Sequence, residues 1–157
     1  METYHEYVLR PERSYCSPRQ PLASDYPARD LDITVLFTFP RLTAAATRHA
    51  TGLLRGLDGR ITLIDVQPVP YPLPLDRPPM ALGFSERRLN TILEQSTVAI
   101  TAKILLCRFR FEALLSILKP GSVVLVGCRR RWWPPWERKL ARKLRRAGHE
   151  IVLIQTS

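Results

Sequence analysis

Three arginines in succession, Arg129 to Arg131, follow Gly127 and Cys128 at the end of an apolar run and lead into Trp132 and Trp133. Guanidinium forks suit bidentate contact with phosphate or carboxylate. Adjacent like charges repel unless an anion offsets them, and exposed aromatic rings stack on bases. The stretch Gly127 to Ala147, GCRRRWWPPWERKLARKLRRA, gathers nine of the chain's 24 basic residues and all three tryptophans, with Glu137 as its single acid. Gly127, Arg129, Arg130 and Arg131 are therefore candidates for an anion site, and Trp132, Trp133, Arg142, Lys143 and Arg146 for a nucleic-acid surface. The competing reading is a solvated helix face whose tryptophans pack over the end of a sheet.

Cys107 and Cys128 also end apolar runs. A thiolate beside arginine is activated there, although inert buried thiols are commoner. Asp65 closes another run and can serve as a base, as an acceptor for a ribose hydroxyl, or as the structural partner of an arginine. His5, His49 and His149 are scattered without metal-ligand spacing. Gly-x-Ser-x-Gly, a Walker loop and a paired-carboxylate motif are all missing from the sequence. No catalytic residue, metal or cofactor is expected, and a thiol-based enzyme or redox protein is kept as an alternative resting on Cys107, Cys128 and Asp65.

These residues need a sheet to position them. Ile33–Phe39, Ile61–Val66, Val98–Cys107, Ser122–Val126 and Ile151–Ile154 are near-continuous apolar runs of strand length. Between them Leu42 to Leu57, Phe84 to Gln95, Phe109 to Leu118 and Pro135 to Ala147 carry helical spacing, with Gly148 as a stop. Pro68 to Pro79 holds six prolines in twelve residues and reads as a stiff extended connection. Residues 1–30 lack apolar periodicity and read as a flexible leader before one domain over 31–157. Strands alternating with helices imply a doubly wound parallel sheet of flavodoxin-like or Rossmann-like architecture. Ligands of such sheets bind beyond the carboxyl ends of the strands, where strand order reverses.

The order of elements, the strand-ending VLVGCRR and the terminal LRRAGHEIVLI resemble the universal stress protein family over residues 31–157. The resemblance implies a five-stranded sheet in the order 3-2-1-4-5 and a homodimer formed through the final strand, at Ile151, Val152, Leu153 and Ile154. Apolar sheet edges are also templates for pairing on general grounds. Family members often bind ATP through Gly-x2-Gly-x9-Gly-Ser/Thr after the fourth strand, with an acid at the end of the first. Here Gly127 matches the first glycine, Arg130 stands at the second, Glu137 and Arg138 at the Gly-Ser/Thr pair, and Thr38 at the acid. Arginine restricts the backbone's approach to a phosphate, and Pro134 and Pro135 lack N–H groups. The resemblance therefore implies the fold and the dimer without family-type ATP binding.

The chain has 157 residues, a net charge of +10 and 20 arginines against four lysines. That suits one domain, drawn to an acidic protein or a nucleic acid. No apolar run reaches the ~20 residues of a membrane span, so no membrane partner is expected. Three cysteines without a secretory pattern point to a reducing cytoplasm. The reading is a non-enzymatic, dimeric, stress-related or regulatory domain acting through protein interactions. The alternative is a nucleic-acid module built on residues 129–146.

Overall fold

A computed structural model describes residues 4–9, 31–129 and 135–156. In chain order the elements are β1 (Tyr4–Leu9), β2 (Leu31–Leu36), α1 (Pro40–Leu53), β3 (Gly59–Pro68), α2 (Leu82–Glu94), β4 (Ile100–Cys107), α3 (Arg110–Ile117), β5 (Val123–Arg129), α4 (Pro135–Arg146) and β6 (Glu150–Thr156). They form an α/β fold on one six-stranded sheet in the order β1-β4-β3-β2-β5-β6. The five strands from β2 onward are parallel, and β1 runs antiparallel to β4.

The expectation of five strands is corrected by β1, which lies within the span read as a flexible leader, 1–30. It pairs with β4 from Tyr4↔Cys107 to Leu9↔Ala102, and Glu6 forms a 2.7 Å ion pair with Lys103. From His5 to Leu9 its side chains alternate between half-buried and exposed, as on a strand with one covered face. Residues 10–30 lie outside the described residues. The five parallel strands stand as β4-β3-β2-β5-β6, with β1 added outside β4.

Alternation along the strands divides the core between two faces. Ile33, Val35, Ile61, Leu63, Ala102 and Ile104 face Ala46 and Ala50 of α1 and Leu89 and Ile92 of α2. Leu36, Ile64, Leu105, Val124 and Val126 face Leu114 of α3 and Leu140, Ala141 and Leu144 of α4. The chain moves outward from β2 to β4 with helices on one face, then crosses back to β5 and continues with helices on the other. A constant crossover hand requires that exchange of faces.

Helix limits follow local chemistry. Pro40 opens α1 after the extended Phe39, and its preset φ suits the first turn. Beyond α4, Gly148 adopts φ +92°, its N–H donating to the Arg145 carbonyl and that of His149 to the Leu144 carbonyl. This pair of bonds is the Schellman stop, and it directs the chain into β6. The Pro68–Pro79 connection is fastened to the end of β4. The Arg108 guanidinium donates to the carbonyls of Val69 and Leu73, each at 2.7 Å, and lies 4.2 Å from the Tyr71 ring centroid. No described helix is long and apolar enough to cross a membrane.

Candidate functional site at the carboxyl rim

The order of strands reverses between β2 and β5, which places the expected crevice beside Thr38 and Gly127. The structure brings these two residues together by direct bonding. Thr38 Oγ1 donates to the Gly127 carbonyl at 3.0 Å, and the Thr38 N–H donates to Thr43 Oγ1 at 3.0 Å. A Cβ on Gly127 would lie 2.2 Å from the Leu42 carbonyl oxygen, so the first turn of α1 rests on the bare backbone of β5. The glycine that reads as a phosphate contact serves helix-to-strand packing. On the opposite face, Leu36, Thr38, Val126, Glu137, Leu140 and Ile151 enclose about 10 Å³. That is room for one water at most.

Asp65 sits apart from this pair. Its carboxylate accepts from Gln67 Nε2 at 2.8 Å, and Gln67 also donates to Ser85 Oγ. Arg88 Nη2 stands 3.4 Å from Asp65 Oδ2, with its guanidinium 4.7 Å from the Phe37 ring centroid and 5.1 Å from that of Phe84. Burial pushes the Asp65 carboxyl above its ordinary range, and the Gln67 bond, Arg88 and Arg110 offset part of the rise. Of the roles open to Asp65, the arginine partner is the one this geometry displays. Ser85 and Arg88 lie three residues apart on α2 and share a helix face. Their spacing was readable in the sequence, but their partner on β3 was not.

Among the sequence candidates, Arg129 is exposed at the end of β5, where it pairs with Thr156, and Cys128 is buried. Arg130, Arg131, Trp132 and Trp133 lie outside the described residues. Arg142, Lys143 and Arg146 are exposed on α4, while Ile151 is buried and Val152, Leu153 and Ile154 are half-buried on the edge strand. Glu137, aligned with a motif glycine, is 5% exposed, and burial raises its carboxyl against the opposing field of Arg110.

Burial raises the Cys107 thiol to about 11, outweighing the lowering field of Arg110. That rise leaves roughly 100-fold less thiolate at neutral pH than a free thiol with the ordinary value of 9.0 has. Cys107 in the folded protein is expected to alkylate at least 100-fold more slowly than in the denatured chain at pH 7.5. Timed peptide mapping by mass spectrometry measures this directly. Comparable rates in the two states would restore the thiol-chemistry reading. No group of three or more metal-ligating side chains forms among the described residues.

The sequence reading missed the aromatic character of the rim. Phe39 before α1, Tyr71 in the proline connection, Phe84 in the first turn of α2 and Phe109 before α3 are 54%, 75%, 46% and 65% exposed. All four belong to connections or first helical turns that follow β2, β3 and β4, three adjacent strands. Arg88 and Arg108 stack against two of them. Exposed aromatic rings interleaved with arginine are the composition of protein-interaction surfaces. Comparisons with protein-family models, curated proteins and solved structures find no match for this chain.

Proposed function

We propose that this protein is a non-enzymatic, universal-stress-protein-like domain that does not bind ATP in the family manner and acts through protein contacts at its carboxyl rim. The carrying observation is the substitution of a packed connection for a ligand crevice. Thr38 bonds directly to Gly127 while Leu42 fills the space beside it, and Phe39, Tyr71, Phe84 and Phe109 are presented to solvent on the same rim. Aromatic side chains left in water gain most when a partner covers them. A stress-related or regulatory role, a cytoplasmic setting and a homodimer through β6 belong to the same reading.

The dimer has a specific obstacle to accommodate. The Glu150 N–H donates to the Ser122 carbonyl, so the alternate residues Ile151, Leu153 and Gln155 point their backbone groups away from β5. Arg145 Nη2 covers the outward Ile151 carbonyl at 3.2 Å. Pairing across this edge is therefore centred on Leu153 and Gln155, or requires Arg145 to swing away.

Two measurements test the proposal. Titration calorimetry with magnesium ATP is expected to give no saturable binding at millimolar nucleotide. In cells, a photo-crosslinking amino acid at Tyr71 or Phe109 is expected to yield a discrete protein adduct, and the same probe at Leu57 none. Saturable micromolar ATP binding, or adducts from Leu57 as abundant as those from the rim, would overturn the reading.

A further inference from the structure

Helix α4 turns Leu140, Ala141 and Leu144 toward the sheet, leaving Arg138, Lys139, Arg142, Lys143, Arg145 and Arg146 exposed. Four of these arginines, at 138, 142, 145 and 146, surround the small side chain of Ala141 in a shallow groove of about 440 Å³. The helix's single acid does not neutralise them, because Glu137 is buried under the influence of Arg110. Glu150, exposed at the start of β6, is the next acid along the chain. Arg138 and Arg142, like Arg142 and Arg146, are spaced i, i+4, where like charges oppose the helix. A bound polyanion removes that repulsion.

The lining also discriminates between kinds of polyanion. Among the described residues that line the groove, Ala141 is the one apolar side chain and is only 6% exposed. Among these described residues an acidic protein finds no aromatic or aliphatic anchor of the sort that supplies most protein-interface affinity. Phosphate needs no such anchor and is matched by the guanidinium fork. From Arg138 to Arg146 the helix advances about 12 Å, and one strand of a duplex carries a phosphate every ~3.4 Å of axis. The row thus spans about three phosphates. A basic stripe along one helix in a strongly basic domain is also the electrostatic footprint of nucleic-acid binding, and this chain's isoelectric point is about 10.3.

We infer that the outer face of α4 binds the phosphodiester backbone of nucleic acid, without sequence preference, in the groove over Ala141. This surface is separate from the aromatic rim, and either reading can fail without the other.

Fluorescence anisotropy of the full chain with a labelled mixed-sequence duplex, between about 50 and 200 mM salt, tests the inference. The expected plot of log K against log salt has a slope of about −3, from ~0.9 per neutralised phosphate. The triple variant Arg138→Gln, Arg142→Gln, Arg146→Gln should weaken binding at least tenfold at the lowest salt and remove most of the slope. It leaves Arg145 on the Ile151 carbonyl and alters only exposed side chains. The single variant Arg142→Gln reports the same trend if the triple variant melts early. Removing equal charge from α1, the turn after it and α2, by Arg48→Gln, Arg55→Gln and Arg87→Gln, should change binding less than twofold. Equal losses in the two triple variants would reduce the effect to net charge and overturn the site. So would displacement of the duplex by polyglutamate at matched charge, tighter Arg142-dependent binding to phosphatidylserine vesicles, or no binding at the lowest salt.

Discussion

Gly127→Ala is expected to lower the stability of the fold by about 2–3 kcal/mol, near the upper end of the usual cost of overpacking, and Tm by roughly 4–12 °C in a domain of this size. The added methyl would lie 2.2 Å from the Leu42 carbonyl oxygen and 2.6 Å from its carbon. Both are backbone atoms in the first turn of α1, so no flexible side chain can move aside. Relief requires α1 to lift from β5, which stretches the 3.0 Å bonds that join Thr38 to Gly127 and to Thr43. Gly52→Ala is the matched control. It lies within α1 with nothing within 4 Å of its new Cβ, so it should be neutral or stabilise by up to ~1 kcal/mol through helix propensity. Denaturant unfolding of both variants decides the matter. Equal effects would mean that α1 does not bear on Gly127, leaving that glycine available to a ligand.

Gly127 also shows where sequence reading stops. A glycine at a strand end followed by three arginines satisfies the local pattern of an anion site, and nothing nearby in sequence reports the carbonyl of Leu42, 85 residues earlier. The elements themselves were legible because their signals are local. Ile61 to Val66 is a buried-type run that falls within β3, and Gly148 sits in the turn that stops α4, two residues past Arg146. β1 escaped notice because it has a strand's alternation but only a half-covered face. Its pairing is specified by β4, some hundred residues away. Rim aromatics were obscure for a related reason: Phe39, Tyr71, Phe84 and Phe109 are isolated in sequence and become neighbours of a single rim only once β2, β3 and β4 stand side by side.

Arg88 offers the sharpest test of how the rim is held. Asp65 is 5% exposed, and Arg88 forms an ion pair with it. Removing one partner of a fully buried pair typically costs ~3–5 kcal/mol. Because 27% of the Arg88 side chain is exposed, Arg88→Met should cost less, about 2–3 kcal/mol at pH 7, while keeping an apolar stem between Phe37 and Phe84. The loss should depend on pH in a definite direction. Burial already raises the Asp65 carboxyl above its ordinary 3.8, and Arg88 is one of the groups restraining that rise. Without Arg88 the folded value climbs further. An acid whose folded value is raised contributes stability that is fully present below its unfolded value and lost as pH increases through the folded one. The Arg88→Met deficit should therefore be largest near neutrality and shrink as pH falls toward the ordinary carboxylate range. Adding Asp65→Asn, which removes the charge and retains an acceptor for Gln67, should recover most of the loss at pH 7. Chemical denaturation of the single and double variants at several pH values separates two roles for Arg88. A deficit independent of pH and unrescued by Asp65→Asn would assign Arg88 to its stacking on Phe37 and Phe84, whereas a rescued, pH-dependent deficit assigns it to the buried carboxylate.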